Sequence, residues 1–170
     1  KDNPYYFLVK AKNENIRNCN IHPNTYYICD EAFSYCNSLI SIIIPSKVKY
    51  LGGSAFLNCE YLESVYFNNE LTTIEGSTFY GCKSLLSVNL PLYMTRICSQ
   101  AFAYCENLQE VFMSKRTIKI YEKAFNSCYS LKKIEENFIT SIGEKAFSSC
   151  KNLESFTVSY MTKKIENNAF

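Results

Sequence analysis

The sequence predicts a β-rich α/β solenoid, in which short parallel strands alternate with short helical or 3₁₀ turns, one coil every 23 residues. Three observations carry this. First, Ala-Phe followed at fixed spacing by Cys and Leu recurs through most of the 170 residues. Second, a short alternation of apolar and polar residues follows each copy, the mark of a half-buried strand. Third, the hydrophobic fraction is 47%, enough for one core running the length of a stack.

The signature reads Ala32-Phe33-Cys36-Leu39, Ala55-Phe56-Cys59-Leu62, Thr78-Phe79-Cys82-Leu85, Ala101-Phe102-Cys105-Leu108, Ala124-Phe125-Cys128-Leu131 and Ala146-Phe147-Cys150-Leu153, and begins again at Ala169-Phe170. In the type coil, Leu39, Ile42 and Ile44 form a first strand that Pro45 ends, since proline cannot donate to a ladder. Val48 and Leu51 mark a second short extended piece. Ala32, Phe33 and Cys36 have the i, i+1, i+4 spacing of one helical or 3₁₀ turn.

Later coils repeat the plan. First-strand core positions are Leu62, Val65 and Phe67, then Leu85, Val88 and Leu90, then Leu108, Val111 and Met113, then Leu131 and Ile134, then Leu153, Phe156 and Val158. The second piece is carried by Leu71 and Ile74, Met94 and Ile97, Ile120, Ile139 and Ile142, and Ile165. Between Cys128 and Cys150 the period falls to 22. The missing residue is expected in the connection after the strand, around Glu135-Glu136-Asn137.

Residues 1–31 read as an irregular, cap-like N-terminal coil and residues 32–170 as about six regular repeats, the last one cut short. In the irregular coil Ile16, Cys19, Ile21 and Ile28 fall on core positions, with Val9 near the alanine position. Tyr5, Tyr6, Phe7 and Leu8 are expected to cover the open end of the core.

Nine cysteines are present, six of them at one repeat position. That position predicts a ladder of buried thiols about 5 Å apart, one strand spacing, acting as small hydrophobes. Close Cys-x-x-Cys pairs of a zinc site are absent. Cys19, Cys29 and Cys98 fall elsewhere, which leaves open a disulfide between Cys19 and Cys29.

These residues resemble the BspA-like leucine-rich repeats. The shared pattern is an isoleucine, three residues, Ala-Phe, two residues, Cys, two residues, Leu, two residues, Ile, one residue, Ile-Pro. It is fullest from Leu51 to Pro91 and weaker upstream of residue 28. The Asn3-Pro4-Tyr5-Tyr6 and Cys19-Asn20-Ile21-His22 segments resemble the irregular coil often set between blocks of such repeats, which implies further repeats before Lys1. The resemblance implies a right-handed leucine-rich-repeat horseshoe on secreted or surface-attached proteins of bacteria and some protists, an extracellular or cell-surface location, adhesion or protein binding, and no shared catalytic residues.

The residues themselves offer little enzyme chemistry. The single histidine, His22, would have to serve any Ser-His-Asp or Cys-His arrangement, and it reads as a surface or capping residue. No glycine-rich phosphate loop occurs among five glycines. Glu110 and Glu135 lie on separate coils and point outward, unlike the facing carboxylates of a glycosidase. No catalytic, cofactor-binding or metal-binding residue is assigned, and no cofactor is expected. Eighteen basic and sixteen acidic residues are mixed along the chain, which argues against nucleic acid as partner. No apolar run suits membrane insertion.

Alternation places two rows outside the first strands. One is Ser41, Ser64, Ser87, Glu110, Lys133 and Ser155. The other is Ile43, Tyr66, Asn89, Phe112, Glu135 and Thr157, with Ile40 and Leu86 flanking. Large apolar groups facing solvent mark a partner surface, and aromatic ones are favoured anchors. The candidate partner-binding residues are therefore Ile43, Tyr66, Asn89, Phe112, Glu135, Ser64, Glu110 and Lys133. The expected function is a non-enzymatic, monomeric protein-binding module whose ligand is a host or extracellular-matrix protein. The alternative is a structural spacer or stalk that displays another domain. The lysines of the second piece read as a solvated edge with weak attraction for acidic surfaces.

Overall fold

A computed structural model of the chain describes residues 6–67, 70–113, 116, 118–134 and 138–170. Tyr5 and the 135–137 stretch, with the candidate residue Glu135, lie outside the described residues.

The chain winds into a parallel β-solenoid of about seven turns, with strands of two to four residues on two faces. On the first face lie β2 (Asn18–Cys19), β4 (Ser41–Ile43), β6 (Ser64–Tyr66), β8 (Ser87–Asn89), β10 (Glu110–Phe112) and β12 (Lys133–Ile134). On the second lie β1 (Phe7–Leu8), β3 (Tyr27–Ile28), β5 (Tyr50–Leu51), β7 (Thr73–Ile74), β9 (Arg96–Ile97), β11 (Ile118–Ile120), β13 (Ile139–Ile142) and β14 (Lys164–Ile165). All pairings are parallel, and most step by the 23-residue period, as in Ser41↔Ser64 and Thr73↔Arg96.

Both faces are interrupted at the same joint. Among the described residues no strand pairing links β6 to β8 or β5 to β7. The turns still cross this joint: the Ser54, Phe56 and Asn58 amides donate to the Gly76, Thr78 and Tyr80 carbonyls at 2.9, 2.8 and 2.7 Å.

The expected helical turn is corrected. No helix occurs among the described residues, and Ala-Phe-x-x-Cys forms a run of β-turns. Amides alternate along it. Those of Ala32, Ser34 and Cys36 donate to the carbonyls of Cys29, Glu31 and Phe33 in their own coil. Those of Glu31, Phe33 and Tyr35 donate to Gly53, Ala55 and Leu57 in the next. A helix would spend every amide within itself, so stacking takes precedence over helix formation. Two left-handed residues per coil accomplish the alternation, such as Glu31 and Tyr35 or Ser54 and Asn58, with φ between 54° and 60°. Each costs a side-chain-bearing residue ~1 kcal/mol, offset by its amide bond to the next coil. Gly81 holds the same place at φ 71°.

The core is a column of rings. Phe33, Phe56, Phe79, Phe102, Phe125, Phe147 and Phe170 stack in succession, with centroids 5.1–5.5 Å apart and planes within 15°. Beside it runs the thiol ladder, which is more than hydrophobic filling. Cys59, Cys82, Cys105 and Cys128 each donate from Sγ to the Phe carbonyl 26 residues earlier, at 3.0–3.2 Å. Cys150 reaches Phe125 across 25 residues. Burial raises these thiols, Cys36 to about 11 and Cys59 and Cys150 to about 12. All nine cysteines are free thiols, Cys19 and Cys29 included. The open disulfide between those two is therefore not formed: Cys19 ends a strand of the first face, while Cys29 follows one of the second.

Two residues are lost between Ile134 and Ile139, a connection whose residues 135–137 lie outside the described residues, and one is regained at Thr140. Val111 pairs with Ile134 at an offset of 23, and Ile120 with Ile142 at 22. A second irregularity has no counterpart in the sequence reading. The register shifts between Ile118 and Lys119, where Ile118 pairs with Ile139 but Lys119 with Ser141, leaving Thr140 as the extra residue. Its hydroxyl donates to the Ile118 carbonyl at 3.1 Å.

Three core assignments and one capping assignment, that of Phe7, are corrected. Val9, Phe7 and Ile165 are exposed, and Val158 is 51% exposed. Residues 153–159 form no strand, so Ser155 and Thr157 continue neither row as strand residues. Burial in a solenoid requires a coil on each side, and these positions lie where the described stack ends or thins. At the N-terminal end Leu8 packs on the core, while Phe7 points outward and stacks on Tyr27 at 5.0 Å.

Candidate functional site

The outer side of the first face is assembled from strands only two or three residues long. Their middle residues Ile42, Val65, Val88 and Val111 are buried, so pleating turns the flanking residues outward. Ser41, Ser64, Ser87, Glu110 and Lys133 form one outward row, with Ser41↔Ser64 and Ser87↔Glu110↔Lys133 in register. Ile43, Tyr66, Asn89 and Phe112 form the other, with Ile43↔Tyr66 and Asn89↔Phe112 in register. Ile43 is 66% exposed, Tyr66 59% and Phe112 36%. Ser64 is half-buried, and Asn89, Glu110 and Lys133 are exposed. Ile43 and Tyr66 are thus one contiguous apolar pair. Leu86 is exposed just before β8 and Ile40 is half-buried just before β4, each at the start of its strand while Asn89 and Ile43 end theirs.

The fold adds a feature that alternation could not supply. A hollow of about 300 Å³ opens at the foot of Ile43, walled by Cys19, Asn20, Ile21, Pro23, Pro45 and Ser46. It forms where the irregular coil passes the proline turn after β4. Its nearest sequence signal is the pair of off-register prolines, Pro23 and Pro45. A concave apolar wall beside an exposed aromatic suits an inserted partner side chain.

His22 is engaged in structure: its Nδ1 accepts the Asn24 amide at 3.1 Å, in a turn closed by Thr25 N–H on the His22 carbonyl. Among the described residues no group of three or more His, Cys, Asp or Glu side chains is placed to hold a metal. Among the described residues no helix is long and apolar enough to cross a membrane.

The chain matches the family described as BspA type Leucine rich repeat region in six copies, over residues 9–132 and 72–170. No curated protein matches it. Among solved structures it is similar to a leucine rich cell surface protein from Faecalibacterium prausnitzii, at 29% identity and a TM-score of 0.57, covering 84% of this chain and 30% of that one. A leucine-rich repeat protein from Eubacterium ventriosum gives a TM-score of 0.71 at 20% identity, covering 88% of this chain and 46% of that one. A T. pallidum leucine rich repeat protein gives 0.55 at 22% identity, covering 77% and 72%. The last two likenesses speak to fold alone. The chain spans under half the length of the first two relatives. Six registered copies, the two-faced parallel stack and these neighbours agree: the chain belongs to the BspA-type leucine-rich repeat family.

Proposed function

We propose that this chain is a non-enzymatic protein-binding module of a secreted or cell-surface protein, which recognises a protein ligand through the outer side of its first face. The observation that carries the reading is the exposed Ile43–Tyr66 pair above the hollow walled by Pro23 and Pro45. Such a patch costs solubility when bare and stabilises a complex when covered. Phe112 extends it along the stack, while Ser64, Asn89, Glu110 and Lys133 supply the polar rim of an interface. The surface location is supported by the F. prausnitzii neighbour, a cell surface protein.

The test is surface plasmon resonance of the folded chain against purified extracellular-matrix proteins. Saturable binding to at least one, competed by excess free chain, is the expected result. Absence of binding to all of them by a folded chain would leave a spacer that displays other domains as the better reading.

A further inference from the structure

The second face carries a separate feature. Its outward row runs Thr73, Arg96, Lys119, Ser141, Lys164 in register across β7, β9, β11, β13 and β14. Beside it opens a groove of about 720 Å³, lined by Lys119, Thr140, Ser141, Tyr160, Lys163 and Lys164. Three cations and no carboxylate line it. Lys164 is paired with Glu166 at 2.6 Å, whereas Lys119 and Lys163 have no ion pair among the described residues. The adjoining hollow holds Glu122 and Glu166, but Glu122 is paired with Lys123 at 2.7 Å. Two positive charges therefore face one groove uncompensated, a local field that draws anions.

We propose that this groove binds an acidic polysaccharide, through sulfate or carboxylate groups on Lys119 and Lys163 and through sugar hydroxyls and ring faces on the neighbouring residues. The bulge places Thr140 at the groove with its hydroxyl already donating to Ile118, so that oxygen is left to accept. A sugar hydroxyl supplies the donor, and an acidic side chain does not. Tyr160 is 94% exposed at the rim, a flat apolar surface with a polar tip on which the C–H face of a sugar ring can lie. The carboxylates of an extended acidic peptide would satisfy the lysines, and its backbone N–H groups could reach Thr140. A chain of Asp and Glu offers no ring face to Tyr160, however, which a sugar does. This inference does not rest on the protein-binding reading, which concerns the first face.

The test uses the whole chain, a fluorescent heparin oligosaccharide as probe, and dextran and poly-L-glutamate as comparators, in fluorescence anisotropy at physiological salt. The substitution Lys119→Glu with Lys163→Glu weakens heparin binding by about tenfold or more. The same charge change far away, Lys10→Glu with Lys12→Glu, alters it by less than about twofold. Tyr160→Ala weakens heparin binding by about fivefold and leaves any poly-glutamate binding unchanged. Circular dichroism confirms that each variant is folded. Equal losses in the two double variants, poly-glutamate binding as tight as heparin, or no heparin binding by the unaltered chain each overturn the proposal.

Discussion

Replacing Phe102 by leucine separates the two jobs of the phenylalanine column, filling volume and coupling coils. Phe102 is wholly buried and stacks on Phe79 and on Phe125, each 5.3 Å away. An aliphatic swap of similar size in a core costs under ~1.5 kcal/mol, and each lost aromatic pair adds ~0.5–1.5 kcal/mol. Losing both pairs brings the cost to about 1–4.5 kcal/mol. Phe33 has one stacked neighbour among the described residues, Phe56 at 5.1 Å, so Phe33→Leu costs about 0.5–3 kcal/mol. Leu108→Met, a buried swap with no ring involved, costs under ~1.5 kcal/mol. Urea unfolding followed by far-ultraviolet circular dichroism measures all three, and similar m-values across the set license the comparison. The predicted order of destabilisation is Phe102→Leu, then Phe33→Leu, then Leu108→Met. If Phe102→Leu costs no more than Leu108→Met, the rings merely fill space and the coupling argument fails.

The buried thiols predict alkaline sensitivity. Their folded pKa values lie above the ordinary 9.0, at about 12 for Cys59 and Cys150, so the unfolded chain releases these protons first. Stability is full below pH 9 and falls as pH climbs towards 12, by about 1.4 kcal/mol per pH unit for each such thiol. Urea titrations from pH 7 to 10.5 should show this fall, and Cys105→Ala should flatten it by one thiol's share; equal slopes would contradict it. Thr78 stands where other coils have alanine, its buried hydroxyl bonded to the Glu75 and Gly52 carbonyls at 2.8 and 3.2 Å. Thr78→Val is expected to cost about 1 kcal/mol in the same titration, and a stabilised variant would refute that account. The joint where no described residues pair β6 with β8 should exchange faster than the paired strands beside it. Amide hydrogen exchange is expected to be faster for 64–66 and 87–89 where they face each other than across β8–β10, and uniform protection would contradict it.

Much of this was legible because a 23-residue period tests every assignment several times. Core positions and the outward rows followed from alternation alone, which is why Ile43, Tyr66 and Phe112 were identifiable as solvent-facing. The helical turn was misread for a physical reason. The i, i+1, i+4 spacing of Ala32, Phe33 and Cys36 suits a helix and a run of β-turns equally. What decides between them is the destination of the amides of Glu31, Phe33 and Tyr35 in the next coil, and no local pattern encodes that. Nor did composition betray the left-handed residues, since most are not glycine. The hollow at Ile43 and the bulge at Thr140 escaped because both arise where the period breaks. Val158 and Ile165 had core-like sequence, but their exposure depends on what lies beside them in the stack.

The central functional claim is that the outer side of the first face recognises protein. Its most direct test is the affinity of Tyr66→Ala with Phe112→Ala for a matrix protein that binds the unaltered chain, measured beside the melting temperature. Both side chains are exposed, so melting should shift little while affinity falls by about tenfold or more, as expected of aromatic anchors. Unchanged affinity in a folded double variant would contradict the account and place recognition elsewhere on the solenoid.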